Sequence, residues 1–262
     1  MNYVTIKNTS IKVSRLAYGT ASLHHVFYKN KRIDILNEAI NLGISHFDTS
    51  PYYGYGLSEI DLGRVINKCR DNVSIATKVG IYPPKGSSTN HTNLWLRKSI
   101  GRVFRSVSSP EINWTTKRAN LSLESSLKRL KTDYVDFLFL HEPDYFAINS
   151  DEFIRWADLM VTQGKVRNMG IAGESENIIP WIHDKSILSS VVQTRDGIKD
   201  ELNIDLMLKN NIVPQFTYGY LSSGGNQNIK NTMKNAFKRN SHGSVIVSTR
   251  KKTRLSELTS ML

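Results

Sequence analysis

Cysteine and long apolar runs are almost absent from this sequence. The single cysteine, Cys69, excludes an internal disulfide and a cysteine-based metal cluster, and we expect no metal site. No stretch approaches the ~18 consecutive apolar residues of a membrane-spanning helix. The first residues also lack the apolar segment of a secretory signal. We therefore expect a cytoplasmic protein without a membrane partner.

Motifs for nucleic-acid binding and for Rossmann-type nucleotide binding are missing as well. The 35 Lys and Arg residues exceed the 23 Asp and Glu residues, giving a net charge of +12. That balance is typical of proteins that bind nucleic acid, anionic membranes or phosphorylated ligands. The excess is spread along the chain without zinc-finger spacing, an RNP-like aromatic run or a basic zipper, and no G-x-G-x-x-G follows a predicted strand. We expect a phosphate-bearing ligand and no nucleic acid.

Short β-branched runs alternate with amphipathic helical patterns along the chain. The predicted strands cover residues 16–21, 45–50, 73–80, 135–142, 166–173, 188–194, 212–219 and 244–249. The predicted helices cover residues 31–42, 57–69, 115–131, 151–164, 176–184, 200–209 and 227–239, with a short helix at the end. Strict alternation predicts parallel strands, because each crossover needs a helix. Eight such units favour one α/β domain over residues 1–262, a closed (β/α)8 TIM barrel.

Two segments lie outside this repeat. Residues 4–16 alternate as in a β-hairpin, which we expect at the N-terminal end of the barrel. The excursion over residues 81–114, after the third strand, is too long for an ordinary structureless loop. Its apolar residues between Leu96 and Val107 follow a helical period, with four basic residues among them. This extra helix is either a surface helix packed on the barrel or a flap that attracts an anionic substrate.

Polar side chains stand at the ends of three neighbouring predicted strands. Asp48 ends the second strand, with Tyr53 in the loop after it, Lys78 ends the third, and His141 ends the fourth. Active sites of such barrels lie at the carboxyl ends of the strands. Each residue alone has an ordinary structural explanation, as a turn aspartate, a packed tyrosine, a surface lysine or a core histidine. Their joint placement favours a catalytic set.

The chemistry of that set is coherent. A phenol has an ordinary pKa of about 10, and a nearby ammonium would lower that pKa. We expect Lys78 to act in this way on Tyr53, with Asp48 keeping Lys78 charged. His141 would donate a hydrogen bond to the substrate oxygen.

A second polar group stands at the beginning of the last helix. Ser248 and Thr249 offer hydroxyls, and Arg250, Lys251 and Arg254 concentrate positive charge. The loops after strands seven and eight of such barrels often bind phosphate. Cations at a helix N-terminus oppose the helix dipole, which favours an anionic partner over a solvated helix end.

Several stretches of the sequence resemble one family. HFDTSPYYGYGLSEIDLG (46–63) is similar to the first signature of the aldo-keto reductases, FDTAxxYGxGxSExxLG. IATKVG (75–80), VDFLFLHEPD (135–144) and QGKVRNMGIAG (163–173) resemble that family's lysine strand, histidine strand and GKVRxxGxSN stretch. The resemblance extends over the whole chain. It implies metal-free reduction of a carbonyl with NADPH, with Asp48, Tyr53, Lys78 and His141 as catalytic tetrad and Tyr53 as proton donor.

The resemblance also implies how the cofactor is held. Gln193 would bind the nicotinamide amide, either Phe216 or Tyr218 would stack on the nicotinamide, and Arg254 would bind the 2′-phosphate. The sequence departs from the family at two places. Ala172 and Gly173 replace the usual Ser-Asn pair that binds the amide, and Ser248 replaces a lysine.

Two functions follow from these patterns. The first is an NADPH-dependent reductase of a small aldehyde, ketone or keto-sugar, with an anionic substrate indicated by the basic excursion. The second is a non-catalytic or regulatory nucleotide-binding barrel subunit, which the altered amide-binding residues favour. We expect a monomer or a weak homo-oligomer in either case.

Overall fold

Eight parallel strands close into a barrel in the computed structural model, which describes residues 1–87, 109–183, 186–197, 207, 209–223 and 228–262. The strands are β1 Tyr3–Thr5, β2 Lys12–Ser14, β3 Leu16–Gly19, β4 His46–Asp48, β5 Ser74–Val79, β6 Ile81–Tyr82, β7 Glu111–Ile112, β8 Val135–His141, β9 Val166–Gly173, β10 Val191–Arg195, β11 Phe216–Tyr218 and β12 Ser244–Val247. The barrel order is β3-β4-β5-β8-β9-β10-β11-β12, and β12 pairs with β3 to close it. The predicted (β/α)8 barrel is confirmed.

Helices surround the barrel. They are α1 Lys29–Asn41, α2 Leu57–Ile66, α3 Thr116–Leu130, α4 Ser150–Thr162, α5 Ser175–His183, α6 Tyr220–Ser223, α7 Ile229–Arg239 and α8 Lys252–Thr259. No helix among the described residues is long and apolar enough to cross a membrane. The predicted N-terminal hairpin is present, with β1 and β2 paired antiparallel through Val4 and Val13.

Two strands begin three and four residues later than the sequence suggested. Ile187–Ser189 form a 3-10 turn that ends at Ser190. The strand therefore begins only at Val191. Serine hydroxyls explain the difference, because Ser186 caps that turn and Ser189 donates to the Trp181 carbonyl. Residues 212–215 likewise precede β11 instead of extending it.

Two predicted helices lie outside the described residues. They are the extra basic helix between Leu96 and Val107 and most of the helix at 200–209. The ends of the 81–114 excursion are described, and there β6 and β7 pair antiparallel through Ile81 and Ile112.

The barrel interior is filled with side chains. Phe137, Phe139 and Phe216 are fully buried there, and the Phe216 ring stacks on His46 at 4.4 Å between centroids. Alternate residues of the same strands, such as Leu138, point outward and pack in the layer beneath the helices. Because the interior is filled, a ligand can bind only at an end of the barrel.

Buried ion pairs fix α2 against its neighbours. Arg32 on α1 contacts Asp61 with Nε and Oδ2 2.6 Å apart, and both side chains are buried. Glu59 accepts from Arg129 on α3 at 2.7 Å and from the Thr77 hydroxyl on β5 at 2.7 Å. Breaking such a buried pair typically costs about 3–5 kcal/mol. Because α2 begins directly after the Tyr53 loop, these contacts hold that loop in place.

Candidate active site

The four predicted catalytic side chains line one cavity at the carboxyl ends of the strands. The cavity has a volume of about 310 Å³, and Asp48, Tyr53, Lys78 and His141 all line it. They come from β4, the loop after β4, β5 and β8, which are neighbours in the barrel order. The fold therefore brings together side chains that are up to 93 positions apart in the sequence.

A buried ion pair lies at the base of this set. Lys78 Nζ donates to Asp48 Oδ1 at 2.5 Å and to the Thr49 carbonyl at 2.9 Å, and both charged side chains are almost wholly buried. Burial lowers the pKa of Lys78, and the Asp48 carboxylate acts against that shift. Because water is excluded from this position, each charge is stabilised by the other instead of by solvent.

A left-handed turn directs Tyr53 into the cavity. Gly54, Tyr55 and Gly56 have φ angles of 62°, 56° and 90° within the 3-10 turn Tyr53–Gly56. A Cβ at Gly54 would lie 2.5 Å from the His24 Cβ, so the turn also packs too closely for a larger residue.

The expected effect of Lys78 on the Tyr53 pKa is wrong. Lys78 Nζ lies 5.1 Å from the centroid of the Tyr53 ring, but burial raises the pKa of the Tyr53 phenol well above 10, and the charge of Asp48 adds to the rise. The reason is that the phenol is fully buried and that the nearby charges of Asp48 and Glu142 add to the rise. Tyr53 is consequently a neutral phenol that retains its proton.

His141 faces Tyr53 across the cavity. The two rings are perpendicular, with centroids 6.2 Å apart. Burial and the Lys78 charge lower the pKa of His141 to about 3, so its imidazole is neutral. Its Nδ1 is buried and has no hydrogen-bond partner among the described residues. The cavity thus presents a neutral phenol and a neutral imidazole above one ion pair.

A second, basic cavity adjoins the first. It has a volume of about 690 Å³ and is lined by all five predicted phosphate-site residues: Ser248, Thr249, Arg250, Lys251 and Arg254. Ser22 and His25 complete its wall. Leu221 and Ser248 line both cavities. An elongated ligand with an anionic end could therefore extend from the Tyr53 hydroxyl to the Arg254 guanidinium.

The three remaining predicted cofactor residues are placed differently from one another. Gln193 and Tyr218 line the first cavity, and Gln193 Oε1 is buried without a hydrogen-bond partner among the described residues. Phe216 is fully buried in the barrel interior and does not line the cavity. A buried amide oxygen without a donor beside an aromatic ring fits a ligand with a carboxamide N–H, such as nicotinamide.

An anchoring network that the sequence did not reveal holds the chain next to Leu221, which lines both cavities. Asp196 is fully buried and accepts hydrogen bonds from the Tyr220 hydroxyl and from Arg239 Nε at 2.9 Å and Nη2 at 3.1 Å. Tyr220 directly precedes Leu221 and Ser222, which line the first cavity. An aspartate two residues after a predicted strand, in QTRD (193–196), was the available signal.

Comparisons with known proteins give a consistent result. The model of the Aldo/keto reductase family matches residues 15–261. L-galactose dehydrogenase of Arabidopsis thaliana is 30% identical over 212 residues, which cover 76% of this chain and 58% of that protein. NADH-specific methylglyoxal reductase of Escherichia coli is 25% identical over 227 residues, covering 82% and 63%. The chain thus spans less than two thirds of the length of these curated relatives.

Solved structures show the same architecture. The holo form of an aldo-keto reductase from Bacillus halodurans superimposes with a TM-score of 0.80, covering 100% of this chain and 90% of that chain. Its sequence identity is 17%, so the likeness concerns the fold.

Replacing Gly54 tests the tight turn that carries Tyr53. Gly54→Ala combines an unfavourable φ with a contact to His24, whereas Gly164 has a φ of 71° and nothing within 4 Å of an added Cβ. We expect Gly164→Ala to lower the free energy of unfolding by about 1 kcal/mol, and Gly54→Ala by about 1–3 kcal/mol more. Urea unfolding of both variants measures this. Equal losses would show that the contact with His24 does not constrain the turn.

Proposed function

Because the chain belongs to the aldo/keto reductase family, we propose that it is an oxidoreductase that reduces the carbonyl group of a small molecule with NADPH. The observation that carries the proposal is the convergence of Asp48, Tyr53, Lys78 and His141 on one cavity that adjoins a basic one. A non-catalytic nucleotide-binding subunit would not need this complete set. We therefore favour the enzyme.

The proposed mechanism assigns each side chain a task. Bound NADPH supplies hydride to the carbonyl carbon. The neutral His141 imidazole hydrogen-bonds the carbonyl oxygen and orients it towards Tyr53. The Tyr53 hydroxyl, which burial keeps protonated, transfers its proton to that oxygen as negative charge develops there. The Lys78–Asp48 pair holds the phenol's surroundings in place and leaves no unpaired charge beneath it.

The cofactor would be held from both cavities. In the first, Gln193 Oε1 accepts from the nicotinamide carboxamide, and Tyr218 is the aromatic that stacks on the ring, since Phe216 does not reach the cavity. In the second, the hydroxyls of Ser248 and Thr249 and the cations Arg250, Lys251 and Arg254 would bind the phosphates. The positive charge of these three side chains supports a binding preference for NADPH over NADH. One relative is NADH-specific by its name, so this preference needs its own test.

The substrate is proposed only as a class. The relatives named above act, by their names, on a sugar and on methylglyoxal, which supports small aldehydes, ketones and keto-sugars. The expectation of an anionic substrate depended on residues 96–107, which lie outside the described part of the chain. A monomer or weak homo-oligomer in the cytoplasm remains our prediction.

Removing the Tyr53 hydroxyl tests the mechanism. We expect Tyr53→Phe to lower kcat for carbonyl reduction by about 100-fold or more, because the proton donor is lost. The NADPH Kd, measured by fluorescence titration, should stay within about twofold, since the phenol is assigned no role in holding the cofactor. Tyr52→Phe, in the neighbouring tyrosine that does not line the cavity, is the control and should retain full activity.

Two other outcomes would change the assignment. Equal turnover of the Tyr53→Phe variant and the unaltered protein would refute Tyr53 as donor. Nucleotide binding without turnover of any carbonyl compound would favour the non-catalytic subunit.

Removing one cation tests the phosphate site. We expect Arg254→Ala to reduce the preference for NADPH over NADH about tenfold, the loss of one charge-assisted hydrogen bond. Lys252→Ala is the matched control on the same helix turn, because Lys252 Nζ faces Glu38 at 3.8 Å and does not line the second cavity. Fluorescence titration with both nucleotides gives the ratio. If the unaltered protein binds NADH as tightly as NADPH, the phosphate-site assignment is wrong.

A further inference from the structure

Glu142 directly follows His141, and both His141 and Ala172, the residue opposite it on β9, line the active-site cavity. Its backbone is left-handed, with φ 52°, and its N–H donates to the Ala172 carbonyl at 2.7 Å. A glutamate rarely adopts this conformation without a compensating contact. The reversal carries the side chain from the end of β8 across to the end of β9.

The glutamate carboxylate fills the space above Gly173. A Cβ at Gly173 would lie 2.5 Å from Glu142 Oε2, so a side chain there and this carboxylate exclude each other. The same oxygen accepts from the Glu174 backbone N–H at 3.0 Å and from Asn177 Nδ2 at 3.4 Å. Glu142 is therefore a fixed carboxylate next to the catalytic histidine, in contrast to a mobile surface group.

The charge of Glu142 is not cancelled by a direct ion pair within the part of the chain that the structure describes. The nearest cation on β10, Arg195, pairs with Glu174 at 3.5 Å, and Lys78 pairs with Asp48. His141 beside it is neutral, with a pKa of about 3. The negative charge of Glu142 also contributes to the raised pKa of both Tyr53 and Tyr218, so its field reaches the reacting groups.

We infer that Glu142 is a specificity-determining residue that disfavours carbonyl substrates with an anionic group near the carbonyl and favours neutral ones whose hydroxyl or amide groups can donate to it. The inference rests on the proposed carbonyl reduction. A like charge next to the bound substrate is an unfavourable contact that a neutral substrate avoids. This selectivity is the opposite of the one that the basic residues of the 81–114 excursion indicated.

Two isosteric substrates test this inference. 3-Carboxybenzaldehyde carries an anion, and 3-formylbenzamide carries a neutral amide of nearly the same shape. We expect the unaltered protein to reduce the amide with a kcat/KM about tenfold higher than the acid. In Glu142→Gln, which keeps an oxygen to accept from the Glu174 N–H, this ratio should fall to about one, mainly through a gain on the acid. Glu176→Gln removes the same charge from an exposed position on α5 and should leave the ratio unaltered.

Several results would overturn the inference. They are a preference of the unaltered protein for the acid, an unchanged ratio in Glu142→Gln, or an equal change in Glu176→Gln. A ratio that falls only through lost turnover of the amide, with no gain on the acid, would also contradict it, because the charge of Glu142 would then not exclude the anion. A lack of NADPH oxidation with either compound in the unaltered protein is a different result, since it would contradict the proposed reduction itself and this inference with it.

Discussion

The buried ion pair between Lys78 and Asp48 determines the surroundings of the Tyr53 and His141 side chains in the cavity. An ammonium and a carboxylate lie 2.5 Å apart, almost fully buried, and removing either partner would leave an uncompensated charge in the interior. The pair forms because β4 and β5 are neighbours in the barrel, with Asp48 opposite Ala76 and Lys78 two residues further on. Burial has the largest effect on the pKa of the phenol and of the imidazole, and the charges of Asp48 and Lys78 act in the same direction as burial. Both are consequently held in their neutral forms.

The site as a whole has opposite charges at its two ends. Arg250, Lys251 and Arg254 line the second cavity, while Glu142 directly follows His141, which lines the first. In the proposed function, the first end attracts the phosphates of the cofactor and the second end selects the substrate. Buried Asp196 accepts from Tyr220 and Arg239, and Tyr220 directly precedes Leu221, which lines both cavities. The two ends of the site thus carry opposite charges, with the Lys78–Asp48 ion pair at the base of the first cavity.

The sequence predicted the barrel and the convergence of the tetrad, because strand alternation and strand-end position are local properties of the chain. It could not decide between Phe216 and Tyr218, because residues two apart on a strand point to the same side and only their depth in the barrel distinguishes them. It also predicted the wrong direction for the Tyr53 pKa. That direction depends on the burial of the phenol and on the charges of Asp48 and Glu142 around it, which are properties of the packed structure. The role of Gly173 likewise became apparent only when Glu142 was seen to occupy the space above it.

The pH dependence of kcat tests most directly whether a buried, protonated Tyr53 is the donor. The phenol pKa lies well above 10 and the His141 pKa lies at about 3, so neither group titrates near neutrality. At saturating NADPH and constant ionic strength, kcat for carbonyl reduction should stay within about twofold from about pH 6.5 to about pH 8.5, while alcohol oxidation with NADP⁺ should rise with pH because the phenol must then lose its proton. A fall in the reduction rate of about tenfold per pH unit over this range would contradict the account, because the donor would then have a near-neutral pKa.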